Sequence, residues 1–285
     1  MLWQGREGSS NVDDRRGISG GGLVAGGGII GVIILLLKVF LGDGDPSQIP
    51  QVLQQSTQQQ QQMSPEQKAA DDKRADFVKV VLKDTEDIWG QIFSEKGKIY
   101  TDPTMVLFRQ SVQSACGGAS AATGPFYCPN DQKLYIDLSF YEELSQRFHA
   151  PGDFAMAYVV AHEVGHHVQT LLGTSDKVAR LRSQMSEQQY NRYSVMVELQ
   201  ADFYAGVWAH YEKSLKNVVE QGDVEEALTA ANAIGDDRLQ KEAQGEVVPD
   251  SFTHGTSKQR MYWFKKGFDT GDLAQGDTFN STDLQ

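Results

Sequence analysis

Basic clusters are missing from this sequence. Among its 285 residues, 26 are Lys or Arg and 38 are Asp or Glu, a formal net charge of −12, and no run of five or more basic residues occurs. A nucleic-acid surface needs clustered Lys and Arg to replace counterions, so no nucleic-acid partner is expected. The acidic balance reads as plain solubility. Cysteine is scarce too, with Cys116 and Cys128 alone. Zinc sites built from cysteine need CxxC-type spacing and usually four ligands, which removes that class. The pair reads as a disulfide closing CGGASAATGPFYC, with two unrelated thiols as the alternative. Such a loop contributes about 3 kcal/mol in the chain-entropy model, and the bond requires an oxidising compartment. There are no internal repeats and no segment like a conventional propeptide.

Only one long apolar run is suited to crossing a membrane, Leu23 to Leu41 (LVAGGGIIGVIILLLKVFL). It is close to the ~20 residues that cross a hydrocarbon core, and Lys38 near its end can reach the interface. A cleaved signal peptide would have a shorter apolar region and a small-residue cleavage site, and neither is present. The expectation is a single transmembrane helix at 23–41 after a short cytoplasmic tail at 1–22. Arg6, Arg15 and Arg16 precede the run, and after Lys38 the next basic residue is Lys68. The positive-inside rule then puts the N-terminus in the cytoplasm and the bulk of the chain outside the inner membrane, in the periplasm. Gly22-x-x-x-Gly26 and Gly27-x-x-x-Gly31 suggest a homodimer contact in the span. Residues 42–64, rich in glutamine, read as a flexible linker with a reach of roughly 25–30 Å.

The folded domain is expected over 65–285. Ser64-Pro65-Glu66-Gln67 marks a helix start by capping box, with Gly97 as its end. Met105 to Ser114 is β-like and leads into a glycine-rich loop. Pro125-Phe126-Tyr127-Cys128 and Lys133 to Leu138 flank a Pro129-Asn130-Asp131 turn, the pattern of a hairpin. A short helix follows at 139–148, and Asp153 reads as the cap of the next helix, Phe154 to Leu172. That helix is apolar on nearly every side and belongs in a core. Helical stretches are expected over 175–212, with a kink near Ser186, over 223–244, and from Thr256 to about Phe268, before a frayed polar tail. The fold class is therefore α+β, mainly α, with a small sheet.

Within the buried helix stands His162-Glu163-x-x-His166. Residues four apart share a helix face, so both histidines can hold one zinc ion, with Glu163 beside it to act on a water. The longer pattern with a third histidine fails, because Gln169 and Leu172 stand where its glycine and histidine would be. His167 is rotated about 100° from His166 and cannot share the ion. The third ligand is expected at Glu198, in Glu198-Leu199-Gln200-Ala201-Asp202. Glu198 and Asp202 lie on one face, so one carboxylate can bind the metal while the other orients a ligating histidine. Apolar neighbours such as Val195, Leu199 and Phe203 distinguish this pair from a solvated one.

These residues resemble the gluzincin peptidases. More closely, GPFYCPNDQKLYIDLSFYEEL, AHEVGHHVQ, ELQADFYAG and THGTSKQR look like the bacterial neutral zinc metallopeptidases. The resemblance implies a zincin-like domain with one N-terminal anchor, ligands at His162, His166 and Glu198, catalysis by Glu163 and support from Asp202. It also brings in two later residues. His254 would steady the oxyanion and Arg260 would pair an active-site carboxylate, or else both are ordinary loop and surface residues. The expected activity is hydrolysis of peptide or protein substrates, with the strand Lys133 to Leu138 as the sheet edge that pairs with them. The rivals are an inactive zinc-binding interaction module tethered to the membrane and a purely structural metal site.

Overall fold

The computed structural model describes residues 1–17 and 63–282. The expected anchor at 23–41, its glycine-rich dimer face and the linker up to residue 62 lie outside them. Among the described residues, no helix is long and apolar enough to cross a membrane. The chain divides into two compact units, one formed by Met1–Arg15 with Arg74–Gln285 and one by Arg16–Lys73.

The first unit starts with strand β1 (Val12–Asp14). Within the stretch read as a tail, Met1–Arg15 therefore belongs to the first unit, and Val12–Asp14 to its sheet. Helix α1 (Pro65–Glu95) opens as expected, with the Ser64 hydroxyl accepting the Gln67 N–H at 3.2 Å and the Gln67 side chain accepting the Ser64 N–H at 2.9 Å. Within the second unit, Asp71 of this helix pairs with Arg16. Phe77, Val78, Val81, Leu82, Ile88, Trp89 and Ile92 recur at helical spacing and are all buried. Gly97, at φ 67°, stops the helix by letting Lys98 N–H reach back to Phe93 O at 2.8 Å.

The main sheet has the order β1–β2–β6–β5, where β2 is Thr104–Phe108, β5 is Phe126–Cys128 and β6 is Lys133–Asp137. β1 runs parallel to β2 with Val12 opposite Met105, β2 parallel to β6 with Val106 opposite Tyr135, and β5 antiparallel to β6 with Tyr127 opposite Leu134. The hairpin around Pro129-Asn130-Asp131 is thus present. Its second strand, however, is not the sheet edge. β6 is paired on both sides and nearly fully buried, as its unbroken Leu-Tyr-Ile sequence allows, and the edge beside it is β5. The glycine-rich stretch expected as a loop forms a separate hairpin of β3 (Ser111–Ser114) and β4 (Gly117–Ser120). Its far end is tied to β5 by the Cys116–Cys128 disulfide.

Short helical turns over 140–147 lead to α2 (Asp153–Leu171), which is buried on nearly all sides. Its cap is Gly152 at φ 120°, not Asp153, whose side chain instead accepts the Trp3 indole N–H at 3.0 Å. The next helical stretch is broken rather than kinked. α3 (Thr174–Leu181) ends in a tight turn and Met185 is extended, after which Ser186 and Gln189 make a capping box for α4 (Glu187–Tyr211). The stretch 223–244 is two helices, α5 (Asp223–Ala233) and α6 (Asp236–Gln244). Between them Gly235 meets the last helix, where a Cβ would lie 2.3 Å from Ser257 N. That last helix, α7 (Ser257–Thr270), is capped by Thr256 and Gln259. The polar tail is pinned rather than frayed, with Gly276 O accepting from Gln200 at 3.0 Å and Thr278 donating to Met196 O at 2.6 Å.

α2 packs against α4, α5 and the β5–β6 hairpin, and α4 packs along α7. Glycines set these spacings. A Cβ on Gly165 of α2 would lie 2.9 Å from Ala201 O of α4, and one on Gly267 of α7 would lie 2.1 Å from Phe203 O. Backbone contact of this kind is what brings ligands on two helices to one point.

Candidate metal centre

One turn of α2 presents His162 and His166, and α4 presents Glu198 to them. Donor atoms of the three lie within 4.8 Å of one another, the one His/Cys/Asp/Glu cluster among the described residues that could hold an ion. The Nε2 of His162 is 3.1 Å from Glu198 Oε2 and that of His166 is 3.5 Å from Glu198 Oε1. The two rings stand 4.8 Å apart and nearly perpendicular.

What lies behind the rings fixes their tautomers. His162 Nδ1 faces Asp202 Oδ1 at 2.9 Å and His166 Nδ1 faces the Gln169 side-chain oxygen at 2.9 Å. A carboxylate and an amide oxygen can only accept, so each Nδ1 carries a proton; each Nε2 faces Glu198, donating to it while protonated and able to ligate an ion once that proton leaves. Two such nitrogens and one carboxylate are the donor set of a catalytic zinc site with a position left for water. The residues fit that ion.

Asp202 was expected as the support of a ligand. The residues that hold it were only partly foreseen. Arg260, on α7, is 2% exposed and so is not a surface residue. It donates to both Asp202 oxygens, Nε at 2.8 Å and Nη2 at 3.0 Å. Tyr158, one turn before His162, donates its hydroxyl to Asp202 Oδ1 and accepts from Arg260 at 3.2 Å. Burial alone would raise the Asp202 pKa, but the Arg260 and His162 charges outweigh it and hold Asp202 at about 2. For His162, burial is likewise overcome, here by the charge and hydrogen bond of Asp202 and the bond to Glu198, which lift it to about 10. That field is one a dication would neutralise.

Gln169 has the same standing toward His166. In the sequence it marked a departure from the longer histidine motif. In the fold its amide donates to Val197 O at 2.7 Å and to Gln200 at 3.2 Å, so the oxygen is turned toward His166. Its place three residues after His166 on the helix was the available signal. His167 takes no part in the His162–His166–Glu198 cluster. Its Nε2 donates to Thr101 O at 2.6 Å, which leaves Nδ1 to accept the Tyr127 hydroxyl at 3.0 Å.

Glu163 is 7% exposed, and burial raises its pKa against the two histidines. His254 lies in the loop before α7, half-exposed, its Nδ1 3.1 Å from Asp236 Oδ1. The other Asp236 oxygen accepts the backbone N–H groups of Thr253, His254 and Gly255 at 2.7, 2.6 and 3.0 Å. Asp236 was not singled out in the sequence, where it falls inside the helix expected over 223–244. Its hydrogen bond raises the His254 pKa against burial, and the Glu198 charge adds to this.

The family described as "putative neutral zinc metallopeptidase" matches residues 1–279. The chain belongs to this family. It is similar to the uncharacterised protein YpfJ of Escherichia coli K12, 49% identical over 99% of this chain and the whole of that protein. The uncharacterised protein Rv2575 of Mycobacterium tuberculosis is 44% identical over 65% of each chain. No solved structure matches.

Proposed function

We propose that the chain is a zinc-dependent endopeptidase. The observation that carries this reading is the triad of His162, His166 and Glu198, whose donors converge within 4.8 Å with both Nδ1 atoms engaged behind them. A zinc ion there would polarise the scissile carbonyl and make a water nucleophilic near neutral pH. Glu163, next to a ligand and shielded from bulk solvent, takes the proton of the attacking water and hands it to the departing amine. His254, oriented through Nδ1 by Asp236, has Nε2 left to donate to the oxygen that becomes negative. The substrate backbone lies along β5. That strand is one of the sheet's two edges, the one beside α2, and its Tyr127 is bonded to His167, immediately after His166. Backbone pairing of this kind tolerates many side chains, consistent with an unfolded or extended protein substrate.

The test is cleavage of an unfolded protein by the purified full chain and by Glu163→Gln, with metal content measured on both. The expected result is one zinc per chain in each and turnover lowered at least 100-fold in the variant. Undiminished cleavage by Glu163→Gln would sink the mechanism, and a chain that binds zinc without cleaving any substrate would favour an interaction module.

A further inference from the structure

We infer that Met1–Arg15 is a strap of the metallopeptidase domain and resides in the same compartment as the His162–His166–Glu198 site.

The strap is attached by backbone and side chains together. Asn11 O accepts the Met105 N–H at 2.9 Å and the Arg15 N–H donates to Leu107 O at 2.8 Å, which sets β1 against β2. The Trp3 ring packs edge-on against Phe77 with centroids 5.3 Å apart. Arg6 spans both oxygens of Asp84, which is 1% exposed. Ser9 and Asn11 donate to Glu86 Oε1, the latter at 2.9 Å. Gly8 lets the strap touch α1, where a Cβ would stand 3.0 Å from Lys79 Cβ. Removing the strap would strip partners from two buried carboxylates and expose an edge of β2, costs a domain does not carry when the strand can dock. The family match, which takes in residue 1, points the same way.

Docking constrains the route of the chain. Between Arg15 and Arg74 it must cross a membrane an even number of times, or not at all. Leu23 to Leu41 is 19 residues, about enough for one crossing and half of what two would take. A single-pass anchor with residues 1–22 on the opposite side is therefore incompatible with the docked strap. Two of the arginines that suggested a cytoplasmic N-terminus have structural partners, Arg6 with Asp84 and Arg15 with Asp13 at 2.6 Å, so their position needs no topological explanation. The Cys116–Cys128 bond favours the oxidising face.

The native cysteines are paired and no free thiol is present among the described residues, so one introduced cysteine is a clean reporter. Ser10→Cys lies on the exposed surface of the strap and Lys98→Cys on that of the domain. Each full-length variant is expressed in cells and treated with a membrane-impermeant maleimide before and after lysis. Equal labelling of both before lysis is the expected result. Labelling of both only after lysis upholds the shared compartment and places it inside. Lys98→Cys labelled at once and Ser10→Cys only after lysis overturns the inference. A second measurement tests docking itself, by thermal melting of the detergent-solubilised full chain carrying Arg6→Ala, Asp84→Asn or both. The two losses in Tm should fall short of adding in the double variant; fully additive losses would mean that the strap is not docked.

Discussion

Arg260 and Asp202 form a bidentate ion pair closed off from solvent, with side chains 2% and 0% exposed and the shorter contact at 2.8 Å. The pair joins α7 to α4 directly behind a metal ligand. Truncating the arginine leaves a buried carboxylate uncompensated, so Arg260→Ala should lose about 3–5 kcal/mol of stability. Denaturant unfolding of the metal-free chain measures this, and a loss under 1 kcal/mol would mean that water replaces the guanidinium.

Asp202→Ala and Gln169→Ala test the two ring supports separately. Each removes the acceptor that keeps one Nδ1 protonated, and each should weaken zinc binding about 10–100-fold. Competition against a chromogenic chelator reads this without any activity assay. Unchanged affinity in both would show that ring packing alone orients the histidines.

His254→Ala should lower kcat about 100-fold with little change in KM, because a donor to the oxyanion acts mainly in the transition state. Asp236→Asn should give a smaller loss of the same kind. A rise in KM at constant kcat would make His254 a substrate-binding residue.

Glu212 is fully buried, neither of its oxygens has a hydrogen-bond partner, and burial, with Asp84 next, pushes its carboxyl up to about 8 from an ordinary 4.5. Its pKa is raised on folding. The group therefore costs nothing at low pH, where it is protonated in both states. It destabilises the fold progressively as pH rises from the unfolded value toward about 8. Glu212→Gln should melt higher than the parent at pH 8–9, with the difference closing by about pH 5. A pH-independent difference would place the charge elsewhere in the cluster of Arg6, Asp84 and Lys216.

Much of the centre was legible because helices turn spacing into position. His162 and His166 share a face by arithmetic, and Glu198 with Asp202 repeats the interval on a second apolar helix. What escaped depended on closure in three dimensions. Tyr158 reads as one more apolar residue of α2, and Asp236 as an interior residue of one helix over 223–244, since nothing local says that a loop eighteen residues later folds back onto it. The strap escaped for the same reason. Its glycines and mixed charges look like a loose end, and a parallel pairing between Val12 and Met105 leaves no mark on either segment. The β6 assignment failed because an alternating hairpin strand and a strand buried on both faces differ only in their polar positions, and β6 is too short to display them.

The contact between Gly165 and Ala201 also bears on the size of ion the site would accept. Since a Cβ at 165 would meet a main-chain oxygen at 2.9 Å, the distance from the histidine-bearing helix to the glutamate-bearing one is a backbone dimension, beyond the reach of side-chain repacking. The triangle of donors behaves as a fixed aperture. One added methyl group would open it by prying the helices apart, and a wider aperture grips a small ion at zinc's ~2.0–2.1 Å bond lengths less well than one at calcium's ~2.3–2.6 Å. The missing side chain at 165 thus sets the bore of the site that an ion would have to fill.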